Sequence, residues 1–169
     1  GFWKRLRMQS YQHLEGCAAS CFALRPHEAV LIEQYASACI DTSDGVFNSI
    51  WTLAELNQTG FVIDHTPCIK KGLMAARLLD KPWELLFLGE CGEYELLFTV
   101  PVDREKEFIQ DCRSQALSVF RIGHMQTDAS SRILHAGSRV LDVSDFNIRA
   151  RDFEKRDAYL DALTDWVTQ

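Results

Sequence analysis

Nowhere in the 169 residues does an apolar run approach the ~20 needed to span a bilayer, and the first residues lack the apolar block of a secretory signal. A cytoplasmic protein with no membrane partner is the expectation. Positive charge is also in short supply. Eighteen Lys and Arg against 24 Asp and Glu leave a formal net charge of -6. Phosphate backbones are held largely by a Lys and Arg surplus, so nucleic acid is not expected as a partner. The local basic groups, Lys4, Arg5 and Arg7 and then Arg149, Arg151, Lys155 and Arg156, are interleaved with acids or apolar residues and read as solvated surface. None of the six cysteines forms a CxxC pair, and no histidine spacing completes a zinc site. Cys17 and Cys21 stand one helical turn apart without a second pair, so reduced, mostly buried thiols are expected. His65, His124 and His135 are isolated from Ser or Cys partners, which leaves a hydrolytic triad without support. Internal repeats, linkers and low-complexity segments are missing too.

What is present is ample apolar material: 47% hydrophobic and 11% aromatic residues suffice for the core of one domain. The start at Gly1-Phe2-Trp3, without an initiator Met, reads as a domain excised from a longer protein. Helical spacing is expected from Trp3 to Leu14 and again after Arg25-Pro26, and a buried strand over Ala36 to Ile40. The strongest helix follows Gly45, with Val46, Ile50, Leu53, Ala54 and Leu56 on one stripe that should lie on a sheet, and a stop at Asn57 to Gly60. Phe61 to Asp64 reads as a strand, Ile69 to Leu79 as a helix, Tyr94 to Val100 as a strand and Asp103 to Leu117 as a helix. Val119 to Ile122, Arg132 to His135 and Arg139 to Val143 suggest a terminal antiparallel meander, followed by an amphipathic last helix. The whole reads as one α+β domain, a mixed and largely antiparallel sheet with packed helices. A helical lead-in spans 1–35, a core 36–143 and a C-terminal helix 150–169.

The chemistry concentrates where the first strand breaks into Asp41-Thr42-Ser43-Asp44-Gly45. Two carboxylates three residues apart offer oxygen ligands for Mg²⁺, and the backbone N–H groups after Gly45 offer donors for phosphate. The plainer alternative is that Ser43 or Asp44 only caps the helix, worth about 1 kcal/mol with no ligand involved.

With Gly92-Glu93-Tyr94-Glu95-Leu96-Leu97-Phe98-Thr99-Val100-Pro101 further along, this motif resembles the C-terminal domain of thiamine-monophosphate kinase. That family belongs to the superfamily of aminoimidazole ribonucleotide synthase, selenophosphate synthetase and the hydrogenase-maturation dehydratase. The similarity runs from about Leu24 to Val143. It implies an aminoimidazole ribonucleotide synthase C-terminal fold, preceded in full-length enzymes by an N-terminal domain that pairs across a homodimer and supplies most Mg²⁺ and ATP ligands. It also implies Asp41 and Asp44 as Mg²⁺ ligands and Ser43 and Gly45 at ATP. The activity implied is phosphoryl transfer from ATP to thiamine phosphate, absent without the N-terminal domain.

The family pattern Gly-Gly-Glu-Asp-Tyr-Glu-Leu is here Glu90-Cys91-Gly92-Glu93-Tyr94-Glu95-Leu96. Gly92 takes the substrate-binding Glu position, which leaves Glu90 and Glu93 as candidates to bind the small phosphorylated substrate. Alternation along a strand would send one of Tyr94 and Glu95 inward. The family's C-terminal aromatic stacking motif is absent, and Trp166 reads as core or interface packing. Two alternatives stand beside this reading: another ATP-dependent enzyme of the superfamily with a different substrate, or a non-catalytic binding or dimerisation module.

Overall fold

Pro26 opens the first helix, α1 (Pro26–Tyr35), where its fixed φ suits the first turn and its missing N–H loses nothing. The computed structural model describes residues 25–90 and 94–169. After α1 come β1 (Ala38–Asp41), α2 (Val46–Asn57), β2 (Gly60–Ile63), α3 (Lys70–Leu78) and α4 (Leu85–Leu88). The chain continues through β3 (Leu96–Thr99), α5 (Glu105–Ser114), β4 (Gly123–Gln126), β5 (Arg132–Ala136), β6 (Arg139–Asp142), a 3₁₀ turn (Ala150–Asp152) and α6 (Arg156–Thr168). The class is α+β. Among the described residues, no helix is long and apolar enough to cross a membrane. Two compact units form; the larger takes 25–67 and 94–146 and the smaller 68–90 and 147–169 of the described residues.

In the larger unit, β1 and β3 make a two-stranded antiparallel ladder, and β4-β2-β5-β6 make a mixed sheet in which β2 and β5 run parallel. Helix α2 packs against β1, β2 and β3. On β2, Phe61 takes Phe47 edge-on at 6.2 Å between ring centres and Trp51 at 6.3 Å, while Phe47 also meets Phe146 edge-on at 5.1 Å and its own helix neighbour Trp51 at a tilt at 6.1 Å. The Arg132 guanidinium lies over the Trp51 ring at 3.8 Å. A second cluster joins α1 to α5, where Leu31 and Tyr35 bury against Phe108 and Cys112. Tyr35 also donates its hydroxyl to Asp111 at 2.6 Å, and that bond first, with burial second, pushes its pKa up to about 12.

In the smaller unit, α4 packs on α6, whose Tyr159, Leu160, Leu163 and Val167 are buried. Gly72 gives α3 a close approach to Leu86, since a Cβ there would sit 3.2 Å from the Leu86 side chain. Trp166 is half-buried on α6.

Several expectations need correction. The last three strands are not a meander: β2 lies between β4 and β5, and its parallel pairing with β5 requires the intervening helices as a crossover. The strand expected over Val119 to Ile122 begins instead at Gly123, whose missing Cβ permits a close approach to the Val62 carbonyl across the ladder. Leu56 is 75% exposed and leaves the α2 stripe, whereas Phe47 and Trp51, one turn apart, join it. Helix α4 escaped the sequence reading, being only four residues long. The helix expected over Trp3 to Leu14, the Cys17 and Cys21 pair, Gly92 and Glu93 all lie outside the described residues.

Candidate functional site

The acidic turn is built by its buried member. Thr42, only 3% exposed, donates its N–H to the Glu95 carbonyl at 3.0 Å and accepts the Glu95 N–H on its hydroxyl at 3.0 Å. These bonds carry the β1–β3 ladder one pair past its end. The Gly45 N–H then donates to the Thr42 carbonyl at 3.1 Å, closing the turn. Gly45 has φ 95° and ψ 146°, a conformation that glycine alone adopts without strain, and it releases the chain into α2. From inside α2 the Ser49 hydroxyl reaches back to the Asp41 carbonyl at 2.8 Å and to that of Gly45 at 3.0 Å.

What the turn displays is exposed: Asp41, Ser43 and Asp44 all face solvent. Asp41 Oδ1 accepts both the Ser43 hydroxyl, at 2.6 Å, and the Ser43 N–H, at 3.0 Å. These two bonds hold the Asp41 carboxyl below its ordinary pKa. Its Oδ2 takes no hydrogen bond among the described residues, and Asp44 is likewise unengaged there. No side chain caps α2, since Gly45 occupies the N-cap position, so neither Ser43 nor Asp44 plays the capping role that was the plainer alternative.

The neighbouring motif behaves differently from expectation. Tyr94 has φ 56° and precedes β3, so strand alternation does not apply; both Tyr94 and Glu95 are exposed, and neither turns inward. Glu95 instead pairs with Arg25 at 2.6 Å, beside the turn that its backbone anchors. Glu90 belongs to the smaller unit, where its carboxylate accepts the Ala150 N–H at 3.0 Å and lies 3.8 Å from the Arg149 guanidinium. Asp41, Ser43, Asp44 and Gly45 thus share one turn, while Glu90 is engaged in contacts of its own.

The same turn occurs a second time. Asp142-Val143-Ser144-Asp145 repeats the Asp-x-Ser-Asp spacing at the end of β6. Asp142 Oδ1 accepts the Ser144 N–H at 2.9 Å, and the Phe146 N–H donates to the Val143 carbonyl at 2.9 Å, as Gly45 does to Thr42. Its carboxyl is lowered in pKa by Ser144 as well. Asp128 and Ser130 form a third such turn, with the hydroxyl at 2.6 Å. The Asp-to-Ser bonding is therefore a general strand-end device of this chain. What sets the first copy apart is the glycine after the second acid and the twelve-residue helix that follows it; in the second copy Phe146 is buried in the core. The shared Asp-x-Ser-Asp spacing is itself visible in the sequence.

No group of three or more His, Cys, Asp or Glu able to hold a metal gathers among the described residues. Mg²⁺ keeps several waters and commonly takes one or two protein carboxylates plus phosphate oxygens. Asp41 and Asp44 supply two carboxylates on one turn, with Asp41 Oδ2 not taken up by Ser43. No protein-family model matches the chain, and a search of the curated proteins finds no match.

Proposed function

We propose that the turn from Asp41 to Gly45 is the magnesium–nucleotide corner of an ATP-dependent phosphotransferase resembling thiamine-monophosphate kinase, in a domain of the aminoimidazole ribonucleotide synthase C-terminal type. The observation that carries this reading is the pairing of two exposed carboxylates, Asp44 unengaged among the described residues and Asp41 bonded only through Oδ1 to Ser43, with a helix start that no side chain caps. Asp41 and Asp44 would hold Mg²⁺, which when bound neutralises the oxygens of the transferring phosphoryl group. Ser43 and the backbone at Gly45 would contact ATP phosphates. Further ligands would come from an N-terminal domain, in a homodimeric full-length protein, and the acceptor would be a small phosphorylated molecule such as thiamine phosphate. Glu90 and Glu93 are the acids that the resemblance would assign to that acceptor.

The test is titration of the chain with magnesium-ATP, followed through backbone amide signals. Shifts at Ser43, Gly45 and Val46, lost in Asp41→Asn and Asp44→Asn, are expected, with little or no turnover because the ligand set is partial. Shifts that survive both substitutions would remove the reading.

The recurrence of the turn at Asp142 favours a second reading, a non-catalytic binding or dimerisation module in which both acidic turns only end strands. Amide signals at the first turn that ignore magnesium-ATP would favour it.

A further inference from the structure

Among the described residues of the larger unit, four strand edges have no strand partner: β1 and β3 pair only with each other, and β4 and β6 end the other sheet. The free edges of β3 and β4 are set apart from the other two by the groove they line. The direction of the free groups follows from the ladder bonds. The carbonyls of Glu95 and Thr99 accept from Thr42 and Ser37, on the β1 side. Backbone groups alternate along a strand, so those of Leu96 and Phe98 point the other way. Likewise Ile122 accepts from Asp64 on the β2 side, so Gly123 and Met125 turn their N–H and C=O outward.

Both edges open onto one groove of about 750 Å³. Every residue from Leu96 to Val100 lines it, as does every one from Ser118 to Met125. A strand face would contribute only alternate residues, so consecutive lining marks an edge. Gly123 has no side chain, and its backbone itself forms part of the wall. Edges of natural sheets are usually blunted by charge, proline or bulges. β3 reads Leu-Leu-Phe-Thr and carries none of these.

We infer that this groove binds an extended peptide segment by strand addition, pairing with β3, β4 or both. The volume suits such an occupant: at about 3.3 Å per residue, 4.8 Å between strands and 10 Å of thickness, a strand fills roughly 160 Å³ per residue. The groove thus holds about four or five residues, the length of the strands beside it. Its charges indicate the occupant's sign. Arg121 lies 3.7 Å from Asp64 and 3.8 Å from Glu105, whereas Arg113 has no ion pair among the described residues. A segment with apolar residues at alternate positions and a carboxylate to meet Arg113 is complementary. This inference stands apart from the nucleotide reading of the Asp41 turn.

The probe is a short acetylated peptide alternating valine and threonine and ending in aspartate, added to the full chain while amide hydrogen exchange is followed. Slowed exchange is expected at Leu96, Phe98, Gly123 or Met125, with no change at Leu97 and His124, which already face their ladder partners. The same peptide methylated on its backbone nitrogens should not bind, and Arg113→Gln should weaken binding about threefold. Equal binding of the methylated peptide would make the groove a general apolar pocket and overturn the inference. So would edge amides that are protected by raising the protein concentration and are indifferent to peptide, since a second copy would then be the occupant.

Discussion

Thr42 and Glu95 exchange two hydrogen bonds, each 3.0 Å long, one of them through the buried Thr42 hydroxyl. A valine fits the same space but cannot accept the Glu95 N–H. Thr42→Val should therefore lose about 1–2 kcal/mol in urea unfolding, the cost of a part-buried donor left unmet. Thr42→Ser should keep most of that stability. Equal midpoints for valine and threonine would show that the hydroxyl does not anchor the turn.

Gly45→Ala tests the backbone. At φ 95° and ψ 146° a Cβ is strained whatever surrounds it, and the expected loss is about 1–3 kcal/mol. Denaturant midpoints measure it. Gly137→Ala is the comparison: its φ of 64° lies in the milder left-handed region, and nothing stands within 4 Å of the added methyl. The smaller loss belongs there, about 1 kcal/mol.

The helices carried their own signals in the sequence. α1, α2, α3, α5 and α6 combine helical periodicity with Pro26, Gly45 or charged ends, and local physics suffices to specify them. Strand pairing did not show itself in the same way. The insertion of β2 between β4 and β5 depends on contacts between residues far apart in the chain, and Gly123 reads identically as a turn signal or as a point of close approach. At the site, the clustering of Asp41, Ser43 and Asp44 was legible because they are neighbours in sequence. That Thr42 is the buried anchor was not, since its partner Glu95 is supplied by a distant strand start.

Tyr35 predicts a pH response at the alkaline end. Its hydrogen bond to Asp111 and its burial favour the protonated phenol, raising the folded pKa to about 12 against an unfolded value of about 10. The stability this contributes is fully present below pH ~10 and is lost as the pH climbs through the folded value. Unfolding free energy should fall across that window in the parent chain and fall less in Tyr35→Phe. Identical alkaline profiles would show that the Asp111 contact does not persist in solution.

The recurrence of Asp-x-Ser-Asp supplies an internal control for the nucleotide site. Both copies hold the first acid by its serine, and in both that bonding lowers the carboxyl pKa, so their electrostatics alone do not distinguish them. If exposed paired acids were enough to hold magnesium-ATP, Asp142→Asn and Asp41→Asn would weaken binding equally. The second copy leads into Phe146, buried in the core, and offers no helix start for the phosphates. A ligand that needs both a cation and backbone donors should therefore ignore Asp142. Asp41→Asn is expected to reduce magnesium-ATP affinity about tenfold or more, the worth of a charged ligand group, and Asp142→Asn to leave it unchanged. Calorimetric titration of the two variants side by side decides the matter: equal losses would mean that the acids act only as diffuse negative charge and that the helix start plays no part.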